Sequence, residues 1–176
     1  AAGVSPGSIA SVFGSNLAAT TATADRFPLP RTLADTQLFV NGVPVPLFYV
    51  SPTQINFQVP FGIGSNNALI EVVASSGASI SVAVPVEAVQ PGVFFTPSTG
   101  VGALSFPADG STAAQRAARP GEPVELYAVG LGAVNSAPEV GEPASAFFLA
   151  ETVLEPTVSI GGRVLPATFS GLAPGF

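Results

Sequence analysis

The sequence predicts an all-β fold made of antiparallel β-sandwiches, and three observations support this prediction. The 176 residues include 19 glycines and 18 prolines, which interrupt the chain too often for long helices. Apolar and polar residues alternate with a period of two over short segments, as they do in strands that bury one face. One pattern of residues also occurs twice along the chain, which predicts two copies of a single module.

The internal repeat is visible in two blocks. Residues 6–13 are matched by residues 120–127, and residues 32–49 are matched by residues 152–169. The second pair of blocks is offset by six residues more than the first pair, which indicates an insertion in the loop that joins the blocks in the second copy. The repeat therefore predicts that corresponding residues occupy equivalent strands.

The alternating segments of the first copy define its expected strands. Residues 37–40 alternate, and Asn41-Gly42 predicts a two-residue hairpin turn with a returning strand over residues 43–50. Apolar and polar residues also alternate over residues 54–59, which predicts a further strand. In the second copy, residues 111–118 form a segment that is too short for a stable helix, so a turn or an irregular loop is expected there. The expected core positions are Val12, Leu38, Val40, Ile55, Phe57 and Val59 in the first copy, and Val124, Leu126, Val158 and Ile160 in the second.

Short strands that follow one another closely along the chain and are joined by turn residues are typical of an immunoglobulin-like sandwich. We therefore predict tandem Ig-like antiparallel β-sandwiches, with one module at residues 1–92 and a second at residues 93–176. The boundary is expected near Pro91-Gly92, where one run of alternation stops.

Several phrases of the sequence carry a family resemblance. They are Val-Ser-Pro-Gly-Ser-Ile at residues 4–9, Ser-Pro-Thr-Gln-Ile-Asn-Phe-Gln-Val-Pro at residues 51–60 and Pro-Gly-Val-Phe at residues 91–94, together with residues 121–132 and 170–176. In this order they resemble the Solibacter-type uncharacterised C-terminal domain, which is found at the ends of large secreted acidobacterial proteins. The resemblance covers almost the whole chain in two copies. It implies an exported Ig-like module and no catalytic residues.

The second copy departs from the family pattern at its end. It stops at Phe176, before the strand that corresponds to residues 54–59 of the first copy. We therefore expect the second module to be incomplete at its C-terminus and to have an open sheet edge. An open edge favours β-strand addition. The expected partners are other protein chains, which would form a filament if the contact repeats head to tail, or further domains of the parent protein.

The composition excludes several classes of function. The chain has no His and no Cys, so it can form no Ser-His-Asp or Cys-His triad, no zinc site with those ligands and no disulfide. With 5 basic and 11 acidic residues it carries a net charge of −6, which disfavours nucleic acid and anionic membranes as partners. The charge-free run at residues 36–70 contains four prolines, so no membrane insertion is expected. The absence of Lys and the small polar surface residues favour an extracellular or cell-surface location.

The candidate chemical groups all have plain structural interpretations. The close carboxylate pairs are Glu122/Glu125, Glu139/Glu142 and Glu151/Glu155, and they are expected to be solvated surface residues. With Asp109 they provide oxygen ligands for Ca²⁺, but they lack the spacing of a calcium loop. We therefore expect no catalytic residue, no metal and no cofactor. Most aromatic residues are expected in the core, and the residues of a possible exposed contact patch are Phe27, Phe48, Tyr49, Phe94 and Phe95.

These observations favour a protein that is not an enzyme. The expected function is an extracellular structural or adhesive Ig-like module: a spacer, a surface anchor or a fibre subunit. The alternative is a carbohydrate- or protein-binding accessory domain of a larger secreted enzyme. A cluster of exposed aromatic residues on one face would favour the alternative.

Overall fold

A computed structural model describes residues 3–64 and 66–175, which form eighteen strands and no helix. The all-β prediction is therefore confirmed. The strands of the first half are β1 (Ile9–Phe13), β2 (Ala22–Thr23), β3 (Gln37–Val40), β4 (Val43–Pro44), β5 (Leu47–Val50), β6 (Gln54–Gln58), β7 (Ala68–Ala74), β8 (Gly77–Ala78) and β9 (Val82–Val84). Those of the second half are β10 (Gly92–Val93), β11 (Phe95–Thr96), β12 (Val101–Gly102), β13 (Leu104–Phe106), β14 (Ser111–Thr112), β15 (Glu125–Leu126), β16 (Ala128–Val129), β17 (Val158–Ile160) and β18 (Arg163–Leu165).

The first half is a sandwich of two antiparallel sheets. One sheet has the strand order β1-β6-β5-β2. The other has the order β4-β3-β7-β8, and β9 also pairs with β7. Residues from both sheets share one hydrophobic core, so the two sheets pack face to face.

Alternation places the core side chains as the sequence predicts. On β6, Ile55 and Phe57 are almost completely buried, and Leu38 and Val40 of β3 lie opposite them in the same core. Val12 differs from the prediction, because it is only half-buried. It lies on β1, an outer strand of its sheet, and packs against the margin of the core.

The predicted hairpin forms at Asn41-Gly42, but its returning strand is divided. Both turn residues have positive φ, 52° and 78°, as a type I′ turn requires. After the short strand β4 the chain crosses to the other sheet through the buried residues Val45 and Pro46, and β5 begins there. Pro44 lies opposite Phe39 where an N–H group would point away from β3, and Val45 N–H still donates to the Leu38 carbonyl at 3.0 Å before the chain leaves this sheet.

Backbone conformations recur at the repeat positions. The second copy forms a hairpin from β17 and β18 whose turn residues Gly161 and Gly162 have φ of 59° and 78°, matching Asn41-Gly42. Gly7 and Gly121 also correspond, with φ of 70° and 80°. The hairpin β17–β18 lies at the repeat position of β3–β4, and these correspondences support the internal repeat.

The second half consists of small sheets with little buried surface. Its sheets are β10–β16, β11–β12, β14-β13-β15 and β17–β18. Phe106, Ala144 and Ala150 are its buried apolar residues within the described part of the chain. The expected core was wrong here: Leu126 and Ile160 are 37% and 46% exposed, and Val124 and Val158 are only half-buried. The physical reason is that, among the strands that the structure describes, β17 pairs with β18 alone, and a two-stranded hairpin buries little surface.

Polar contacts join the two halves. Gln90 N–H donates to the carbonyl of Gly130 at 2.7 Å, and Leu29 N–H donates to the carbonyl of Gly141 at 2.8 Å. Gly141 N–H in turn donates to Gln58 Oε1 at 2.6 Å. The turn around Gly141 therefore covers the end of β6 and leaves the rest of that strand's outer face open.

Candidate functional site

The residues of the predicted contact patch lie on two separate sheets and a loop. Phe48 and Tyr49 are half-buried on β5, in the four-stranded sheet. Phe94 and Phe95 are 44% and 61% exposed, and Phe95 pairs with Gly102 in the small sheet β11–β12. Phe27 is 43% exposed in the loop after β2. No sheet common to these residues joins them into a single patch.

The outer face of the four-stranded sheet carries a more ordered group of side chains. Ala10 and Val12 of β1 pack toward the core, so Ser11 and Phe13 face outward. On β6, Ile55 and Phe57 are buried, so Gln54 and Asn56 face outward. Tyr49 on β5 pairs with Asn56, which in turn pairs with Ser11 across the sheet. We call Ser11, Phe13, Tyr49, Gln54 and Asn56 the amide face.

Hydrogen bonds order the polar part of the amide face. Ser11 Oγ donates to Asn56 Oδ1 at 2.8 Å, and Gln54 Nε2 donates to the same oxygen at 2.7 Å. Asn56 Nδ2 has no hydrogen-bond partner among the residues that the structure describes. The Asn56 side chain therefore points a donor outward while its oxygen holds both neighbours in place.

Phe13 is the more exposed of the two aromatic residues of the amide face, with 73% of its surface accessible. Its cross-strand neighbour is Gln54. Sequence reasoning did not select Phe13, although the inward assignment of Val12 requires its neighbour to face outward. The period of the strand was the signal that could have identified it.

The carboxylate Glu122 is not a solvated surface residue, contrary to the expectation. Arg116 binds both of its oxygens at 2.9 Å, and only 13% of the Glu122 side chain is exposed. Arg116 also reaches Asp109 Oδ2 at 3.0 Å and lies 3.8 Å from the centre of the Phe106 ring. We call Phe106, Asp109, Ser111, Arg116 and Glu122 the arginine clamp.

The arginine clamp stabilises the charged forms of its members. Hydrogen bonds from Ser111 and then from Arg116 lower the pKa of Asp109 below its usual value. The hydrogen bond from Arg116 lowers the pKa of Glu122, and the same bond raises the pKa of Arg116. All charges are paired and each carboxylate accepts more than one hydrogen bond. The clamp therefore ties the loop at residues 107–122 to the buried ring of Phe106.

The remaining carboxylates are exposed. Glu125, Glu139, Glu142, Glu151 and Glu155 all lie at the surface. Across residues 3–64 and 66–175, no group of three or more His, Cys, Asp or Glu side chains lies close enough to hold a metal ion. In the same part of the chain no helix has the length and hydropathy to cross a membrane.

The hairpin β17–β18 presents a free strand edge. Ser159 pairs with Val164, and the alternation of the antiparallel ladder directs the Ser159 N–H and carbonyl away from β18. No other described strand pairs with β17. Ile160, Val164 and Leu165 are 46%, 70% and 39% exposed on this hairpin. An open groove of about 470 Å³, lined by residues 155–157 and 164–167, lies beside it.

A loop in the second half exposes two further aromatic residues. Phe147 and Phe148 are 91% and 81% exposed, and their N–H groups both donate to Ser145 Oγ at 3.1 Å. Sequence reasoning did not select this pair. The available signal was the insertion between the two blocks of the second copy, since the pair lies within the lengthened loop.

Comparison with known proteins returns no match: no protein-family model, no curated protein and no solved structure is similar to this chain.

Proposed function

We propose that the protein is a non-enzymatic extracellular structural or adhesive module that accepts a β-strand from a partner at the free edge of β17. The partner is another protein chain or a further domain of the parent protein. The observation that carries the proposal is the unpaired edge of β17 beside uncovered apolar side chains. Exposed edges of this kind are sites of strand addition.

The first copy shows what an occupied edge looks like. There β3 lies between β4 and β7, and Phe39, the repeat counterpart of Ser159, pairs with Glu71 of β7. In this arrangement Leu38 and Val40 are buried, whereas Ile160, the counterpart of Val40, is 46% exposed. An added strand at β17 would supply the missing neighbour and cover these side chains.

Two further parts of the proposal, the extracellular location and the absence of catalysis, are supported by observations other than the free edge of β17. The resemblance to modules of secreted proteins favours export, and so do the small polar residues expected at the surface. Without His, Cys or Lys the chain lacks most general bases and activated nucleophiles that work near neutral pH. Hydrogen bonds from Ser111 and Arg116 hold Asp109 ionised, and the hydrogen bond from Arg116 holds Glu122 ionised, which makes both groups poor proton donors.

Peptide binding tests the strand-addition proposal. A synthetic peptide of residues 67–75, which covers β7, is the probe because β7 occupies the equivalent edge in the first copy. Titration calorimetry should show binding to the full chain. The variant Ser159→Pro removes the outward N–H without removing a bond of the hairpin, and it should weaken binding about tenfold or more.

The controls distinguish pairing at the strand edge from nonspecific binding of the peptide. Ser159→Thr keeps the N–H and should bind as the unaltered protein does. The same peptide with Glu71→Pro should not bind, because it can no longer pair along its length. Failure of the unaltered protein to bind, or equal binding by Ser159→Pro, would contradict the proposal.

A second candidate function is supported by a different observation. A carbohydrate- or protein-binding accessory domain is favoured by the amide face, where the exposed ring of Phe13 adjoins an ordered group of amides and a hydroxyl. This face belongs to the first half and is independent of the free edge of β17.

A further inference from the structure

We infer that the amide face binds neutral polysaccharide, with the ring of Phe13 as the stacking surface and Asn56 as the central hydrogen-bonding group. This inference rests on the second candidate function and deepens it by assigning a site and a ligand class. It does not depend on strand addition at β17.

Charge selects the class of ligand. None of the residues in β1, β2, β5 and β6 is charged, although the chain as a whole carries a net charge of −6. A charged ligand bound there would lose water without gaining an opposite charge. The hydroxyl groups of an uncharged ligand cost less to desolvate, and hydrogen bonds to the amides of the face offset that cost. The face therefore complements a neutral partner.

The polar groups match the hydroxyl groups of a sugar. Each sugar hydroxyl both donates and accepts, so it is satisfied best by a donor and an acceptor side by side. Asn56 directs its Nδ2 donor outward, because its Oδ1 already accepts from Ser11 and Gln54. Gln54 uses Nε2 in that contact, which leaves its Oε1 as an acceptor next to the Asn56 donor. Neighbouring hydroxyls of one sugar ring fit this pair.

The aromatic ring supplies the apolar part of the contact. One face of a pyranose ring presents C–H groups, and these pack on the electron-rich face of an aromatic ring. Phe13 is 73% exposed and pairs across the sheet with Gln54, so the ring lies next to the amides. Strands β1 and β6 pair in register over five consecutive residue pairs, which gives a regular surface beneath the ring.

The internal hydrogen bonds make the site preorganised. Ser11 and Gln54 hold the Asn56 amide in one orientation before any ligand arrives. Binding therefore orders few additional side chains, which limits its entropic cost. Tyr49, the other cross-strand neighbour of Asn56, extends the surface toward β5.

Affinity electrophoresis of the full chain tests the inference. The probes are soluble neutral polysaccharides, namely mixed-linkage β-glucan, xylan and glucomannan, with anionic polygalacturonate as the charged comparison. At least one neutral probe should retard the protein, and polygalacturonate should not. Phe13→Ala and Asn56→Ala should each weaken the retardation about tenfold, because they remove the stacking ring and the central donor.

Matched variants keep the outcomes distinct. Phe148→Ala removes an exposed ring from another surface, where Phe148 is 81% exposed, and should leave polysaccharide binding unchanged. Ser159→Pro should also leave it unchanged, so failure of strand addition and failure of this inference are read separately. Absence of retardation by all three neutral probes, retention of binding by Phe13→Ala, or equal retardation by polygalacturonate would overturn the inference. Dimerisation through the face would overturn it too, if Phe13→Ala abolished self-association and no probe bound.

Discussion

Individual residues differ from their expected environments where the contact depends on how a loop folds. Glu122 is expected at the surface from its sequence, yet it lies against Arg116 with 13% of its side chain exposed. The presence of a carboxylate and an arginine close together in sequence does not predict whether the loop conformation brings the two side chains into contact. Phe13, by contrast, follows from strand alternation once Val12 faces the core. The difference is that alternation follows from strand geometry alone, whereas ion pairing across a loop depends on the conformation of that loop.

The arginine clamp predicts a pH dependence. Asp109 and Glu122 have lowered pKa values in the folded protein, so their contribution to stability is present above their unfolded pKa values, near pH 4. It is lost as the pH falls through the lowered values. Hydrogen exchange should therefore show residues 107–122 losing protection between about pH 4 and pH 2, before the first sandwich does.

The variant Arg116→Met provides the control for this pH dependence. It keeps apolar contact with Phe106 and removes the guanidinium, which is the main cause of the lowered pKa of Glu122 and, after Ser111, a further cause of the lowered pKa of Asp109. The loop should then exchange faster at neutral pH and show a weaker change on acidification. An unchanged acid response in this variant would show that other groups titrate.

Elements of structure follow the sequence when turn chemistry is local. The Asn41-Gly42 hairpin was predictable because both positions need positive φ and these residue types accept it. The division of residues 43–50 between two sheets does not follow from their sequence, because Pro44 is compatible with a continued strand: Val45 N–H beyond it still donates to Leu38. Whether the chain then changes sheet depends on the core that receives Val45.

Two glycines with similar φ should respond differently to substitution. The Cβ added by Gly42→Ala points into open space, so the only loss of folding stability comes from the strained φ of 78° and is about 1 kcal/mol. Gly130→Ala would also force its Cβ into the backbone carbonyl of Gln90 and should cost about 3 kcal/mol or more. Urea denaturation of both variants measures the difference.

The outcome of the glycine comparison tests the contact between the halves. Asn16 occupies the repeat position of Gly130 and carries a side chain at φ 56°, a conformation that Asn adopts more readily than most residues. Equal costs for Gly42→Ala and Gly130→Ala would mean that Gln90 does not lie against Gly130 in solution.

At the scale of the whole molecule, composition and alternation were sufficient for the all-β class and for most of the first core. They were not sufficient for the second half. Val158 and Ile160 have the same alternation as Leu38 and Val40, yet they remain partly or largely uncovered. Burial of a strand depends on whether another strand pairs with it, and that partner is remote in sequence. The division into modules at residues 92 and 93 stays a prediction, as does the family resemblance.

The amide exchange rate of Ser159 tests the central claim, strand addition at β17, most directly. In the isolated chain the Phe39 amide, which pairs with Glu71, should be strongly protected, whereas the Ser159 amide should exchange nearly as fast as in an unstructured peptide. The peptide of residues 67–75 at a hundred times its dissociation constant should slow Ser159 exchange about a hundredfold. Protection of Ser159 equal to that of Phe39 without a partner, or fast exchange with the peptide bound, would contradict the claim.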